Sequence, residues 1–149
     1  MTEQKKIVVK RPGQQAEIVL VDHKYRCELK EIIDAQIVET VPLHNGIIIA
    51  VDEDGHPKQL PYNFYARMNN EYYPIQLIVG TAVFTKFKPI PIVSVFEEIY
   101  DYELDSLSDE EIIMVLKELN SDNQTLLQEQ FKKRYTTMAD YLKPKVIEF

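Results

Sequence analysis

An α+β fold is predicted, with a small, mainly antiparallel sheet, one early helix and a C-terminal group of helices. Three observations predict it. Short β-branched runs in the first half are separated by Pro12-Gly13, Asn45-Gly46 and Asp54-Gly55, which are turn-forming pairs. One 3.6-period stripe (Tyr25, Leu29, Ile32, Ile33) falls between the second and third of these runs. Three capping-box patterns, Ser94-x-x-Glu97, Ser108-x-x-Glu111 and Ser121-x-x-Gln124, each precede a further stripe in the last third.

The elements follow in order. Lys6–Lys10 and Glu17–Val21 form a first hairpin around Arg11-Pro12-Gly13. Asp22 can cap the early helix, which should stop near Asp34. Gln36–Leu43 and Ile47–Asp52 flank Asn45-Gly46, a pair suited to a type I′ turn because both central residues need positive φ. Asp54-Gly55 then turns the chain toward Lys58–Leu60, giving a three-stranded meander. Pro61–Pro74 has no clean period and reads as a loop with room for a helical turn. Ile75–Phe87 is rich in β-branched residues and reads as one central strand. Gly80 within it marks a bulge or a close approach.

The rest reads as helical. Its stripes are Phe96, Ile99, Tyr100 and Leu104; then Ile112, Ile113, Val115, Leu116 and Leu119; then Leu127, Phe131 and Tyr135. The tail after Leu142 should be extended. Strands give way to helices at Pro89–Pro91, which divides the chain into a sheet domain over 5–90 and a helical extension over 91–149 packed on the same domain.

The chain has 149 residues, enough to bury about two-thirds of its unfolded surface without a disulfide or metal. Its single cysteine, Cys27, excludes an internal disulfide and fits a reducing cytoplasm. No apolar run approaches the roughly 20 residues that span a bilayer, so no membrane partner is expected. The net charge of −7 argues against direct nucleic-acid binding. Eight acidic residues and no basic one stand between Glu97 and Glu111, with Lys86 and Lys88 before them and Lys132, Lys133 and Arg134 after. This run reads as a solvated helix face or as a docking surface for a basic partner.

Val41-Pro42-Leu43, Asn45-Gly46, Asp52-Glu53-Asp54-Gly55, Leu60-Pro61-Tyr62-Asn63 and Ile78-Val79-Gly80-Thr81 occur in an order that resembles the family known as domain of unknown function 3846. Ser106-Leu107-Ser108-Asp109-Glu110-Glu111 is similar to the family's common ending, so the resemblance spans roughly residues 5–112. It implies a small cytosolic protein of phages, plasmids and conjugative elements in bacteria, and it brings no particular activity.

Motifs for catalysis and metal binding do not emerge. His23 and Cys27 stand at i, i+4, but a structural zinc site wants four such ligands at tight spacing. Asp52-Glu53-Asp54-Gly55 begins like a calcium loop, yet Asn63 occupies the twelfth position where a glutamate should close it. There is no Gly-x-Ser-x-Gly, and the four glycines are scattered. The chain is therefore expected to be non-enzymatic and to need no cofactor. Candidate contact residues lie in the tyrosine-rich segment: Asn63, Tyr65, Arg67, Tyr72 and Tyr73. Tyrosines are enriched at interfaces and can stack on a base, and arginine can grip a carboxylate or phosphate. The leading expectation is an accessory protein that binds a host protein, in the manner of a counter-defence factor. The alternative is binding or sequestering a small nucleotide signal. An edge strand can also pair across a two-fold axis, giving a homodimer.

Overall fold

The computed structural model describes residues 4–22, 27–68, 74–92 and 99–142. Within them the chain forms β1 (Lys5–Lys10), β2 (Glu17–Val21), α1 (Cys27–Ile33), β3 (Val38–Pro42), β4 (Ile48–Asp52), β5 (Tyr62–Arg67), β6 (Ile75–Val79), β7 (Ala82–Ile92), β8 (Ile99–Asp105), α2 (Asp109–Glu118) and α3 (Ser121–Leu142). This is the predicted α+β class. Six strands join in one antiparallel sheet, ordered β2-β1-β7-β4-β3 with β8 also paired to β7, and β5 and β6 form a separate ribbon.

Strand β7 organises the sheet. Its first half lies between β1 and β4, with Phe84 opposite both Val8 and Ile49. Its second half pairs with β8 from Lys86↔Asp105 to Ile92↔Ile99. Both faces of the sheet are covered at its centre, which is why residues 7–9 and 82–84 are apolar without alternation. On one face Val8, Ile49, Val51 and Phe84 pack against Phe64 and Ile78 of the ribbon and Ile112 and Val115 of α2. The Phe64 and Phe84 rings stack with centroids 5.4 Å apart. On the other face Ile7, Val9, Ala50 and Val83 pack against Leu29 and Ile33 of α1. Beyond the ribbon, Tyr65 and Ile75 meet Leu127 and Phe131 of α3.

Several local expectations hold. Asn45 (φ 60°) and Gly46 (φ 76°) both adopt positive φ in the β3–β4 turn. Helix α1 stops at Asp34 (φ 59°), where the Ala35 N–H donates to the Lys30 carbonyl at 3.0 Å, the six-to-one bond of a Schellman motif. Ser108 and Glu111 form the reciprocal capping box of α2.

Others are corrected. Lys58–Leu60 is not a strand. The chain leaves β4 through turns over 53–59 that close on Gln59 (φ 56°), with Leu60 N–H bonded to the Gly55 carbonyl and Gln59 N–H to that of His56, both at 3.0 Å. No meander forms. Most of the expected loop 61–74 is strand β5 among its described residues. The expected strand 75–87 is two strands in two sheets. Gly80 (φ 72°) makes the corner, and a Cβ there would stand 2.7 Å from Leu60 Cδ1. Residues 99–105, expected as part of a helix, are strand β8. Ser94, Phe96 and Glu97 lie outside the described residues, as do His23, Tyr25 and the tail after Leu142. Pro89 and Pro91 sit inside β7, so strands do not give way to helices there. Among the described residues that half of β7 has β8 as its one strand neighbour, and a proline fits where its missing N–H would face away from a ladder.

Candidate functional site

The expected contact residues on β5 are held in three different ways. Asn63 is buried, and its amide is occupied within the chain. Its Nδ2 donates to the Lys10 carbonyl at 2.8 Å and to the Gly80 carbonyl at 2.7 Å, while its Oδ1 accepts from Lys10 Nζ at 3.0 Å. The clamp ties β1 to the β6–β7 corner. Burial also pushes the Lys10 ammonium below the usual lysine range.

Tyr65 is a packing residue in this geometry. Its ring lies 5.0 Å from Phe131 and 5.5 Å from Tyr62, and the residue is 7% exposed. Its backbone is bound by Gln124, whose Oε1 accepts from Tyr65 N–H and whose Nε2 donates to Tyr65 carbonyl, both at 2.8 Å. Arg67 is exposed, and its N–H donates to Glu118 Oε1 at 3.0 Å. Tyr72 and Tyr73 lie outside the described residues. None of Asn63, Tyr65 and Arg67 is among the residues that line the cleft beside β4.

The pattern Ser121-x-x-Gln124 predicts a capping box between these two residues. The cap of α3 is instead Asn120, whose Oδ1 accepts from Asn123 N–H at 2.8 Å. This frees the Gln124 amide to reach across to β5 and to the Glu118 carbonyl.

A cleft of about 230 Å³ opens between β3, β4, the 53–59 turns and β6. Val41, Val51 and Ile78 form apolar walls, and Glu39, Glu53, His56 and Gln76 bring polar groups to it. Asp52 also lines the cleft, but its carboxylate is engaged. Lys58 Nζ donates to Oδ2 at 2.8 Å and Asp54 N–H to Oδ1 at 2.9 Å. Burial works against the Asp52 carboxylate, yet Lys58 and the Asp54 N–H outweigh it and hold its pKa below the ordinary 3.8. Lys58 responds in the matching direction, raised first by its bond to Asp52. Among the described residues no three His, Cys, Asp or Glu side chains converge as metal ligands would, and no helix is long and apolar enough to cross a membrane.

The stripe Ile112, Ile113, Val115, Leu116 and Leu119 on helix α2 does not lie on one face, and Met114 joins its exposed part. Ile112 and Val115 are buried, but Ile113 is 52%, Met114 41% and Leu116 40% exposed. Successive helical residues are about 100° apart, so an apolar run denser than one face must spill onto the solvent side. The exposed trio follows Asp109 and Glu110, both exposed in the first turn. The helix is fixed in place by Lys6 Nζ on Asp109 at 3.1 Å and Lys86 Nζ on Glu111 at 3.2 Å. Burial disfavours the Glu111 carboxylate, but the Ser108 N–H and Lys86 more than compensate and lower its pKa from the ordinary 4.5. The signal was available in sequence: six apolar residues in the eight positions 112–119 are too many for one side of a helix.

No family model, curated protein or solved structure matches the chain.

Proposed function

We propose that this chain is a non-enzymatic contact protein that binds a basic protein partner through the outer face of α2. The carrying observation is the exposed trio Ile113, Met114 and Leu116 beside Asp109 and Glu110. Apolar side chains exposed beside charged ones are a common form of protein-binding surface, and a positive rim on the partner would complement Asp109 and Glu110. Three of the buried or half-buried polar groups are engaged within the fold: Asp52 holds Lys58, Glu111 holds Lys86, and Asn63 holds Lys10. The family resemblance makes the partner a host protein met in the bacterial cytoplasm, and the chain a phage or mobile-element accessory factor. A counter-defence role is an analogy with other small proteins of mobile elements.

The test is site-specific photo-crosslinking in host cells, with the probe at position 116 or, as control, at the exposed position 36. A discrete adduct from 116 that Ile113→Glu removes is the expected result. The same adducts from both positions, or none from 116, would sink the proposal.

Nucleotide binding is the second reading, favoured by the exposure of Arg67 on β5. The carboxylates of Glu39 and Glu53 at the cleft disfavour phosphate there. A nucleotide panel should leave the melting temperature unchanged if the first reading holds, since a ligand that binds the folded state raises it.

A further inference from the structure

We infer that β2 is a self-complementary edge through which two copies of this chain pair antiparallel about a two-fold axis at Val19, extending the sheet across the dimer. This is independent of the α2 surface.

The fold treats its strand edges unequally. The outer edge of β5 is capped by side chains, with Gln124 on both backbone groups of Tyr65 and Glu118 on the Arg67 N–H. The β3 edge contains Pro42, which lacks an N–H, and exposed Glu39. These are recognised ways of blocking strand addition. On β2 the one such device among the described residues is Glu17 at its end, and that carboxylate is paired with Arg11. The β2 sequence, Glu-Ile-Val-Leu-Val, has neither lysine nor proline, and β1 is its one strand neighbour among the described residues. An open ladder edge accepts another strand, and its unpaired backbone groups say what kind of partner fits.

The side chains make a second copy the fitting strand. Ile18 is 55% and Leu20 53% exposed. Residues two apart share a face, and a two-fold at Val19 sets Ile18 of each copy opposite Leu20 of the other. Cross-strand pairs of this type stabilise antiparallel ladders. The one charge, Glu17, would stand opposite Val21 and is already paired with Arg11 at 3.3 Å. No like charges face each other, although the whole chain carries −7.

Sedimentation of the full chain from micromolar to millimolar concentration tests this. The expected mass rises to twice 17.5 kDa. Two variants refine the test: Ile18→Lys with Leu20→Lys, and Ile18→Glu with Leu20→Glu. Each should remain at the single-chain mass, because like charges then oppose one another. Mixing them should restore the doubled mass, since lysines now face glutamates. A wild-type chain that stays single throughout overturns the inference, as do variants that still double alone or a folded mixture that stays single. Should the variants fail to fold, hydrogen exchange on the wild type decides. Amides of 17–21 should be slower at high concentration than at low, and equal rates overturn the proposal.

Discussion

Asn63 shows how one side chain can do the work of a ladder that is not there. Its amide supplies two donors to carbonyls on separate segments and one acceptor to a half-buried lysine. Removing it leaves buried acceptors unpaired, which costs about 1–3 kcal/mol. Asn63→Leu is therefore expected to destabilise the fold by that amount in urea unfolding, whereas a purely contact role would leave stability unchanged. Asp52 and Lys58 make a prediction that depends on pH. The folded pKa of Asp52 is depressed, so its contribution is present above the ordinary 3.8 and is lost as pH falls through the lower folded value. Lys58→Met should lower the melting temperature at neutral pH, and its deficit against wild type should shrink as the pH falls below that range. A deficit that is constant with pH would mean that the ion pair contributes nothing.

At the scale of elements, the legible parts of the fold were those fixed by near neighbours. Asn45-Gly46, the stop of α1 at Asp34 and the Ser108 box all depend on residues within a few positions. The parts that misread depend on distant partners. Strand β5 shows no period because the ribbon is covered on both sides, by Phe64 and Ala66 toward the sheet and Tyr65 toward α3, and because its register shifts between Tyr62 and Phe64. Strand β8 carries apolar residues at helical spacing, and only its pairing with β7 makes it a strand. Gly80 is where the two sheets separate. Gly80→Ala forces a side chain into left-handed backbone and against Leu60, so a loss of about 1–3 kcal/mol is expected. A neutral result would show that the corner relaxes freely. Gln124→Ala should speed hydrogen exchange at Tyr65, whose N–H it caps, while the amides of β1 and β7 stay protected. Uniform acceleration would instead indicate that α3 had detached.

For the whole molecule, a sheet covered on both faces by α1, the ribbon and α2 holds the α2 helix by its inner side and leaves Ile113, Met114 and Leu116 exposed on the outer side among Asp109, Glu110 and Lys117. Of the candidate site, the tyrosine-rich segment was visible as composition, but its described members serve packing and edge capping or stand singly at the surface. The α2 face was visible only as a surplus of apolar residues, because sequence cannot say which side of a helix a sheet will cover. The most direct test is calorimetric titration of the crosslinked partner, once purified, with wild type and with the Ile113→Glu, Leu116→Glu pair. The pair is expected to weaken binding at least about 30-fold, corresponding to the roughly 2 kcal/mol of an interface hot spot, with the circular dichroism spectrum unchanged. An unaltered affinity in the folded double variant would contradict the assignment of α2 as the contact surface.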